Sequence, residues 1–211
     1  MSIFVEGFAQ NWWLFLISSI LIELTPGPNM VYLAIVGASD GRRAGYAVTA
    51  GVALGLATVG LLAAAGLTTV INNSPALYQL LRWAGVIYLL WLAFDAWRDA
   101  AEDVDAAPVG SAFRVYFRRG LITNLLNPKA AVFYIAVLPG FTVPGGSIGG
   151  QTFVLSLTFV AAATAIHLAI VTLSSQARRL LEDPRRSLII RRTLSLALAV
   201  VAVWFAWKTR F

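Results

Sequence analysis

The sequence predicts an all-α membrane protein with six transmembrane helices, arranged as two inverted repeats of three helices each. Three observations lead to this prediction. The chain is strongly apolar, and its apolar residues form six stretches long enough to cross a bilayer. Two of these stretches, the first and the fourth, are broken by proline motifs at corresponding places in the two halves.

The composition excludes a soluble domain. Of the 211 residues, 59% are hydrophobic and only 12% are charged, and the mean hydropathy is +0.76. Soluble domains carry about 25% charged residues, so a soluble fold would lack polar surface. There is no cysteine, which excludes disulfides, a thiol nucleophile and thiolate metal ligands. The net charge of +6 comes largely from arginines between apolar stretches, a pattern that does not suggest nucleic-acid binding.

A transmembrane helix needs about 20 predominantly apolar residues. We expect the six spans at about 12–37, 45–71, 76–97, 119–140, 150–176 and 190–208. They form one transmembrane domain, 1–211, in which the first repeat covers about 1–98 and the second about 119–211. The polar stretch between the repeats, about 99–118, is expected to be a flexible cytoplasmic loop that ends in an amphipathic approach to the fourth span.

The basic residues orient the predicted bundle. The linkers after the first, third and fifth spans are rich in arginine, and they contain Arg42, Arg43, Arg98, Arg114, Arg118, Arg119, Arg178, Arg179, Arg185, Arg186, Arg191 and Arg192. Loops with an excess of Lys and Arg stay in the cytoplasm, so both termini are expected outside. Glu6 is the only charge before Glu23, and a cleaved signal peptide, which needs a basic N-terminal region, is therefore not expected.

The two halves of the chain show weak internal similarity. Residues 82–98 align with residues 192–208 at a constant offset, and Pro28-Asn29 aligns with Pro128-Lys129. With three spans in each half, the second half is inverted across the membrane, which is the plan of many secondary transporters. In such proteins, matched interruptions of two helices mark the binding site.

Each proline motif is expected to leave helix ends within the membrane. The first motif comprises Thr25, Pro26, Gly27, Pro28 and Asn29, and the second comprises Asn127, Pro128 and Lys129. Proline removes a backbone donor, and carbonyls freed in hydrocarbon need protein, water or a ligand as partner. We expect Asn29 to begin one half-helix, with Asn127 as N-cap and Pro128 as first residue of the other. Helix N-termini bind carboxylates, and the two ends together suit the α-carboxylate of an amino acid.

Two charged residues lie beside the breaks. An unpaired charge at this depth costs about 2.5–3.5 kcal/mol, so neither Glu23 nor Lys129 should face lipid. We hypothesise that Lys129 attracts the substrate carboxylate, and that Glu23 binds the substrate ammonium or carries a proton. The alternative is a structural ion pair between the two breaks.

Four further polar residues are candidates for smaller roles. His167, the one histidine of the chain, is a candidate proton relay because histidine titrates near neutral pH; the alternative is a buried neutral histidine bonded to a neighbour. Asn124 and Tyr88 are candidate cavity-lining residues. Asp95 is expected to be an interfacial carboxylate, to pair with Arg98, or to control the inner mouth.

A small-residue motif marks the second span. Gly51 and Gly55 form a G-x-x-x-G pattern, which lets two helices approach closely. Two interpretations are open, packing within the bundle and contact between two copies in a homodimer.

Several motifs together resemble the LysE family of amino-acid exporters, nearest to its branch of homoserine and threonine exporters (RhtB). They are the first break, the turn Gly41-Arg42-Arg43-Ala44-Gly45, the segment Ala84-Gly85-Val86-Ile87-Tyr88-Leu89 and the segment 119–129. The resemblance implies a six-span inner-membrane protein that exports amino acids or related metabolites in exchange for protons. It also implies functional roles for Pro26, Gly27, Pro28, Asn29, Asn127, Pro128 and Lys129. Glu23 departs from the family pattern, where this position is more often uncharged, and this departure could favour a cationic substrate.

The leading hypothesis is a proton-coupled amino-acid exporter of the bacterial inner membrane that works by alternating access and needs no cofactor. Its expected partners are a small zwitterion, protons, membrane lipid and, in a homodimer, a second copy. Three alternatives stay open. One is export of another solute or a metal cation, although one carboxylate, one histidine and no thiol suit soft metals poorly. The others are a structural membrane protein and an intramembrane enzyme in which His167 activates Ser156, Thr164 or Ser174.

Overall fold

The structure, a computed structural model, describes residues 2–25, 27–65, 74–99, 109–144, 146–176 and 184–208. Over these residues the regular structure is entirely helical, as the sequence predicts. The α-helices are α1 (Ser2–Leu24), α2 (Pro28–Ser39), α3 (Arg42–Ala64), α4 (Pro75–Asp99), α5 (Val109–Leu125), α6 (Pro128–Val132), α7 (Ile148–Ser174) and α8 (Pro184–Lys208).

The first predicted break is confirmed. Helix α1 ends at Leu24, and α2 begins at Pro28, at an angle of 59° to the preceding segment Phe8–Leu24. Gly27 is the N-cap of α2, so this half-helix begins one residue before Asn29, because the fixed φ of proline suits the first helical position. Pro26 lies outside the described residues.

The second predicted break is also confirmed, but the helix that follows it is irregular. Asn127 is the N-cap of α6 and Pro128 is its first residue, as expected. After five α-helical residues the chain continues as a π-helical turn over Phe133–Val137 and a 3₁₀ turn over Leu138–Phe141. The amide of Leu138 donates to the carbonyl of Phe133, five residues back, and Pro139 has no amide hydrogen with which to continue the α-helix.

Several helix boundaries differ from the prediction. Helix α5 begins at Val109 rather than at about residue 119, so residues 109–118, expected in a loop, are helical. Within this segment the rings of Phe113 and Phe117, four residues apart, stack with centroids 6.0 Å apart, a spacing that stabilises a helix. Helix α1 begins before the expected residue 12, and α8 before the expected residue 190.

Within the part of the chain that the structure describes, two helices, α3 and α7, are long and apolar enough to cross a membrane on their own. The bent pair α1–α2 is a third crossing if it counts as one span. The apolar part of α4, Trp83–Asp95, is shorter. The six-span topology and the inverted repeat therefore remain predictions.

The G-x-x-x-G motif packs inside the bundle. Helix α3 crosses α5 closely, and a Cβ atom at Gly51 would overlap the main-chain carbonyl of Phe117. A Cβ atom at Gly55 would lie 2.7 Å from Asn124 Nδ2. This face of α3 is covered by α5 of the same chain, which confirms the first interpretation and leaves the face unavailable to a second copy.

The interior combines an apolar core with buried polar side chains, and many large apolar side chains are exposed. Polar side chains lie in the interior, among them Glu23, Asn29, Asn124 and His167, together with a stacked pair of aromatic rings, Phe133 and Phe159 (3.8 Å between centroids). Large apolar side chains cover the outside, including Leu61, Ile87, Phe94, Leu173, Val200 and Trp207. This distribution fits lipid as the surrounding solvent, because polar groups in a bilayer must be paired within the protein.

Candidate functional site

The two breaks meet through Lys129. Its ammonium group donates a hydrogen bond of 2.9 Å to the main-chain carbonyl of Thr25, which lies beyond the last turn of α1. The lysine stem passes so close to the first break that a Cβ atom at Gly27 would lie 3.2 Å from Lys129 Cδ. Glycine at this position permits the close approach of the two breaks.

Glu23 lies between a histidine and a lysine. Its Oε2 is 3.2 Å from His167 Nε2, and its Oε1 is 4.0 Å from Lys129 Nζ. Glu23 and His167 are both buried, at 7% and 1% exposure. The structural ion pair considered between Glu23 and Lys129 is thus long, and histidine is the closer partner. Glu23 thus faces one imidazole and one ammonium group within 4.0 Å.

Two buried asparagines join the first half of the chain to the second. Asn29 Nδ2 donates to Asn124 Oδ1 at 2.8 Å, which links α2 to the last turn of α5. Among the described residues, Asn29 Oδ1 and Asn124 Nδ2 have no hydrogen-bond partner. Two predicted site residues are therefore brought together. One side-chain acceptor and one side-chain donor of the pair remain without a hydrogen-bond partner among the described residues.

The two half-helices differ at their N-termini. No side chain caps α2, so the amide groups of its first turn after Pro28 retain their hydrogens for a ligand. In α6, by contrast, Asn127 Oδ1 accepts from the amide of Lys129 at 3.0 Å, and only five residues are α-helical before the π turn. Of the two half-helices, α2 therefore has the uncapped N-terminus, and α6 contributes the side chain of Lys129.

A small cavity lies where these groups converge. It is lined by Glu23, Gly27, Asn29, Met30, Leu56, Asn127, Lys129 and Ala130. Its volume is about 10 Å³, which is roughly the room needed for one water molecule. An amino acid does not fit in a cavity of this size.

The other residues predicted from the first and second motifs are less directly involved. The hydroxyl of Thr25 turns back to the carbonyl of Leu21 at 3.1 Å, so Thr25 contributes its main chain rather than its side chain. Pro28 and Pro128 start the two half-helices.

In the structure the partner of Asp95 is Arg119 and not Arg98, whose pairing with Asp95 was one of three alternatives for this carboxylate. Asp95 Oδ2 lies 2.5 Å from the guanidinium of Arg119 on α5. Tyr88 stacks on Trp91 at 5.6 Å in the same helix and is not among the residues that line the cavity. Asp95, Arg119, Trp91 and Tyr88 form a separate cluster between α4 and α5.

Three lining residues, Met30, Leu56 and Ala130, are absent from the sequence-based expectations. An apolar side chain in a predicted span carries no signal that separates a cavity wall from ordinary core. Met30 and Ala130 do follow Asn29 and Lys129 directly, at the offset of the internal similarity, and that correspondence could have identified them.

The LysE type translocator family matches residues 20–209, which is almost the whole chain. This protein belongs to the LysE type translocator family. The resemblance noted in the sequence is confirmed, and the apolar helices together with the family identify an integral membrane protein. No solved structure matches this LysE-family chain.

Curated relatives of this LysE-family protein carry efflux names. A leucine efflux protein of Klebsiella pneumoniae subsp. pneumoniae is 35% identical over 74% of each chain. A homoserine/homoserine lactone efflux protein of Salmonella typhimurium is 29% identical over 83% of this chain and 86% of its own. A leucine efflux protein of an Enterobacter species is 31% identical over 74% of each chain.

The contacts of the site bear on two alternatives from the sequence, an intramembrane enzyme and an exporter of a metal cation. His167 contacts Glu23, whereas the hydroxyls of Ser156 and Ser174 donate to main-chain carbonyls of their own helix. The structure therefore does not pair either serine with the histidine. Within the described ranges, no three His, Cys, Asp or Glu side chains gather as a metal site would require.

Proposed function

We propose that this LysE-family protein is a secondary exporter of amino acids or closely related small zwitterionic metabolites. One observation carries the proposal: a cation and a carboxylate, Lys129 and Glu23, converge where the two broken helices meet, with 4.0 Å between Nζ and Oε1. This pair is complementary to a zwitterion, which offers a carboxylate to the first group and an ammonium to the second. The efflux names of the relatives support amino acids as the substrate class.

The substrate carboxylate binds Lys129 and the uncapped first turn of α2. In the closed conformation Lys129 donates to the carbonyl of Thr25, so the substrate carboxylate replaces that acceptor. A charged acceptor forms a stronger hydrogen bond with an ammonium than a neutral carbonyl does. The substrate ammonium then binds Glu23, and the side chain of the substrate lies against Met30, Leu56 and Ala130.

Transport requires the site to open, because the closed cavity is far smaller than an amino acid. We assign the motion to alternating access of two inverted repeats around the breaks, with six spans, both termini outside and the bacterial inner membrane as the location. The broken helices are the natural hinges, since residues between helix segments can absorb large backbone rotations.

Glu23 and His167 provide a route for proton coupling. They form a buried pair with 3.2 Å between ring nitrogen and carboxylate oxygen. A nearby ammonium favours the charged form of a carboxylate, whereas a proton bound to the carboxylate removes that attraction. Glu23 holds either the substrate ammonium or a proton. Proton uptake from outside therefore releases the substrate, and the inward flow of protons is coupled to the outward flow of substrate.

The proposal is tested with purified protein in proteoliposomes loaded with labelled leucine, homoserine, threonine or lysine, and with divalent cations in parallel. We expect efflux of one or more neutral amino acids, accelerated when the opposite compartment is acidic. Export of a divalent cation and of no amino acid would reject the proposal. Amino-acid efflux that ignores the pH gradient would reject proton coupling alone.

A further inference from the structure

A second charged cluster lies outside the site formed by the two breaks. Asp95 on α4 and Arg119 on α5 form an ion pair of 2.5 Å, and the guanidinium of Arg119 lies 5.7 Å from the ring centre of Trp91. The side chains of Arg119 and Asp95 are 25% and 14% exposed, so the pair is partly accessible. Neither residue of this ion pair lines the cavity formed by the breaks.

The pair bridges the contact between α4 and α5, which is the seam between two parts of the bundle. Helix α4 packs mainly on α8, and α5 packs mainly on α3, whereas α4 and α5 contact each other sparsely. Side chains, rather than close backbone packing, hold these two helices together. An ion pair across such a seam is a contact that can open without disrupting the packed core of either part.

Polar groups continue from this seam towards the breaks. Arg119 lies six residues before the end of α5 at Leu125, which is about 9 Å along an α-helix. The buried hydroxyl of Tyr32 has no hydrogen-bond partner among the described residues. Tyr32 is one turn along α2 from Asn29, a residue that lines the cavity.

We propose that Arg119 is a second carboxylate-binding residue, on the route between one mouth of the protein and the cavity, and that Asp95 occupies it in the closed conformation. The inference rests on the proposed function, since its ligand is the α-carboxylate of the exported amino acid. The guanidinium group binds carboxylates through a planar fork of donors, and the side chain of Asp95 presents the same chemical group as the substrate.

Exchange of one carboxylate for another leaves no charge unpaired. When the substrate displaces Asp95 from Arg119, Asp95 can turn to Arg98, three residues along the same helix and exposed. The seam between α4 and α5 then opens only when an anion has arrived to replace Asp95. In the proposed topology this seam is on the cytoplasmic side, where the substrate enters.

The experiment uses three variants of the full-length protein in proteoliposomes, with L-leucine and L-homoserine as probes. Asp95→Asn removes the internal competitor, and we expect KM to fall by about tenfold, the effect of one charge-assisted hydrogen bond. Arg119→Gln is expected to raise KM by a similar factor. The charge exchange Asp95→Arg with Arg119→Asp is expected to restore thermal stability without restoring KM, because the cation is then on the wrong helix.

The outcomes separate this inference from the proposed function. If the unmodified protein exports neither probe nor any other amino acid, the proposed function fails. If it exports a probe but the charge exchange restores both KM and thermal stability, the ion pair is a structural contact and the second site is rejected. Unchanged KM in both single variants also rejects it. Titration of Trp91 fluorescence with acetate, measured against Trp91→Phe, should show a response that Arg119→Gln abolishes.

Discussion

Lys129 and Thr25 belong to different breaks, yet the ammonium of Lys129 donates a hydrogen bond to the main-chain carbonyl of Thr25 at 2.9 Å. The bond satisfies a carbonyl that the interruption of α1 leaves without a helical partner, as a hydrocarbon environment requires. In the proposed mechanism it also holds the site closed, because the same ammonium is the proposed ligand of the substrate carboxylate. Lys129 thus pairs with a carbonyl that is freed at the first break and is also the proposed ligand of the substrate carboxylate.

Replacing Lys129 by Met is expected to reduce amino-acid efflux at least tenfold at matched expression. Methionine cannot donate to the substrate carboxylate, and the loss of one hydrogen bond to a charged group costs about 1.5–3 kcal/mol, of which about 1.4 kcal/mol corresponds to tenfold. Lys129→Arg, which keeps the charge, is the control and should retain measurable transport. Full transport by Lys129→Met would remove this residue from the mechanism.

Replacing Glu23 by Gln is expected to abolish the response of efflux to a pH gradient. The amide neither binds a proton nor attracts an ammonium, so KM should also rise, by about tenfold for one lost charged hydrogen bond. The measurement compares efflux with and without a gradient in the same proteoliposome preparation. A variant that keeps the gradient response would show that the proton is carried elsewhere.

Sequence patterns predicted the features of this protein that depend on local chemistry. Proline, glycine and asparagine act within one helical turn, so both breaks, the N-cap Asn127 and Pro128 as the first residue of its helix follow from the sequence, whereas α2 begins at Pro28 rather than at the expected Asn29. The strongly apolar spans of α3 and α7 are equally direct, because a bilayer demands them.

The remaining features depend on how the helices pack. Glu23 and His167 are 144 residues apart in sequence, and Asn29 and Asn124 are 95 apart. Each residue was a candidate, but no pattern within either segment specifies its partner. For Asp95 the sequence offered Arg98, its neighbour along the helix, as one possible partner, because the approach of α5 to α4 could not be anticipated.

Replacing Gly27 by Ala is expected to impair transport more than stability. The new Cβ atom would lie 3.2 Å from Lys129 Cδ, so the lysine stem must move by a few tenths of an ångström and its ammonium shifts from the site. We expect efflux to fall several-fold, with the melting temperature in detergent nearly unchanged. Gly140→Ala is the matched control, because nothing lies within 4 Å of the added Cβ; equal efflux from the two variants would contradict the assigned geometry.

Replacing Gly51 by Ala is expected to destabilise the bundle itself. The added methyl group meets the carbonyl of Phe117 in the close crossing of α3 and α5, and overpacking of this kind costs about 1–3 kcal/mol. The loss should appear as a lower melting temperature that does not depend on protein concentration. A change of oligomeric state instead, with unaltered stability at high concentration, would assign the motif to a contact between copies.

Removing either amide of the pair Asn29–Asn124 is expected to destabilise the protein, and removing both should cost little more than removing one. Each single alanine variant leaves a buried amide without its hydrogen-bonded partner, which costs about 1–3 kcal/mol, whereas the double variant leaves neither. Unfolding in detergent of the two single variants and the double variant measures this coupling directly. Asn11 is the matched control, because its bond to the carbonyl of Phe141 is long, at 3.4 Å, and only partly buried, so Asn11→Ala should change stability little. Strictly additive losses for Asn29 and Asn124 would show that the two amides act independently and that α2 and α5 are held together by other contacts.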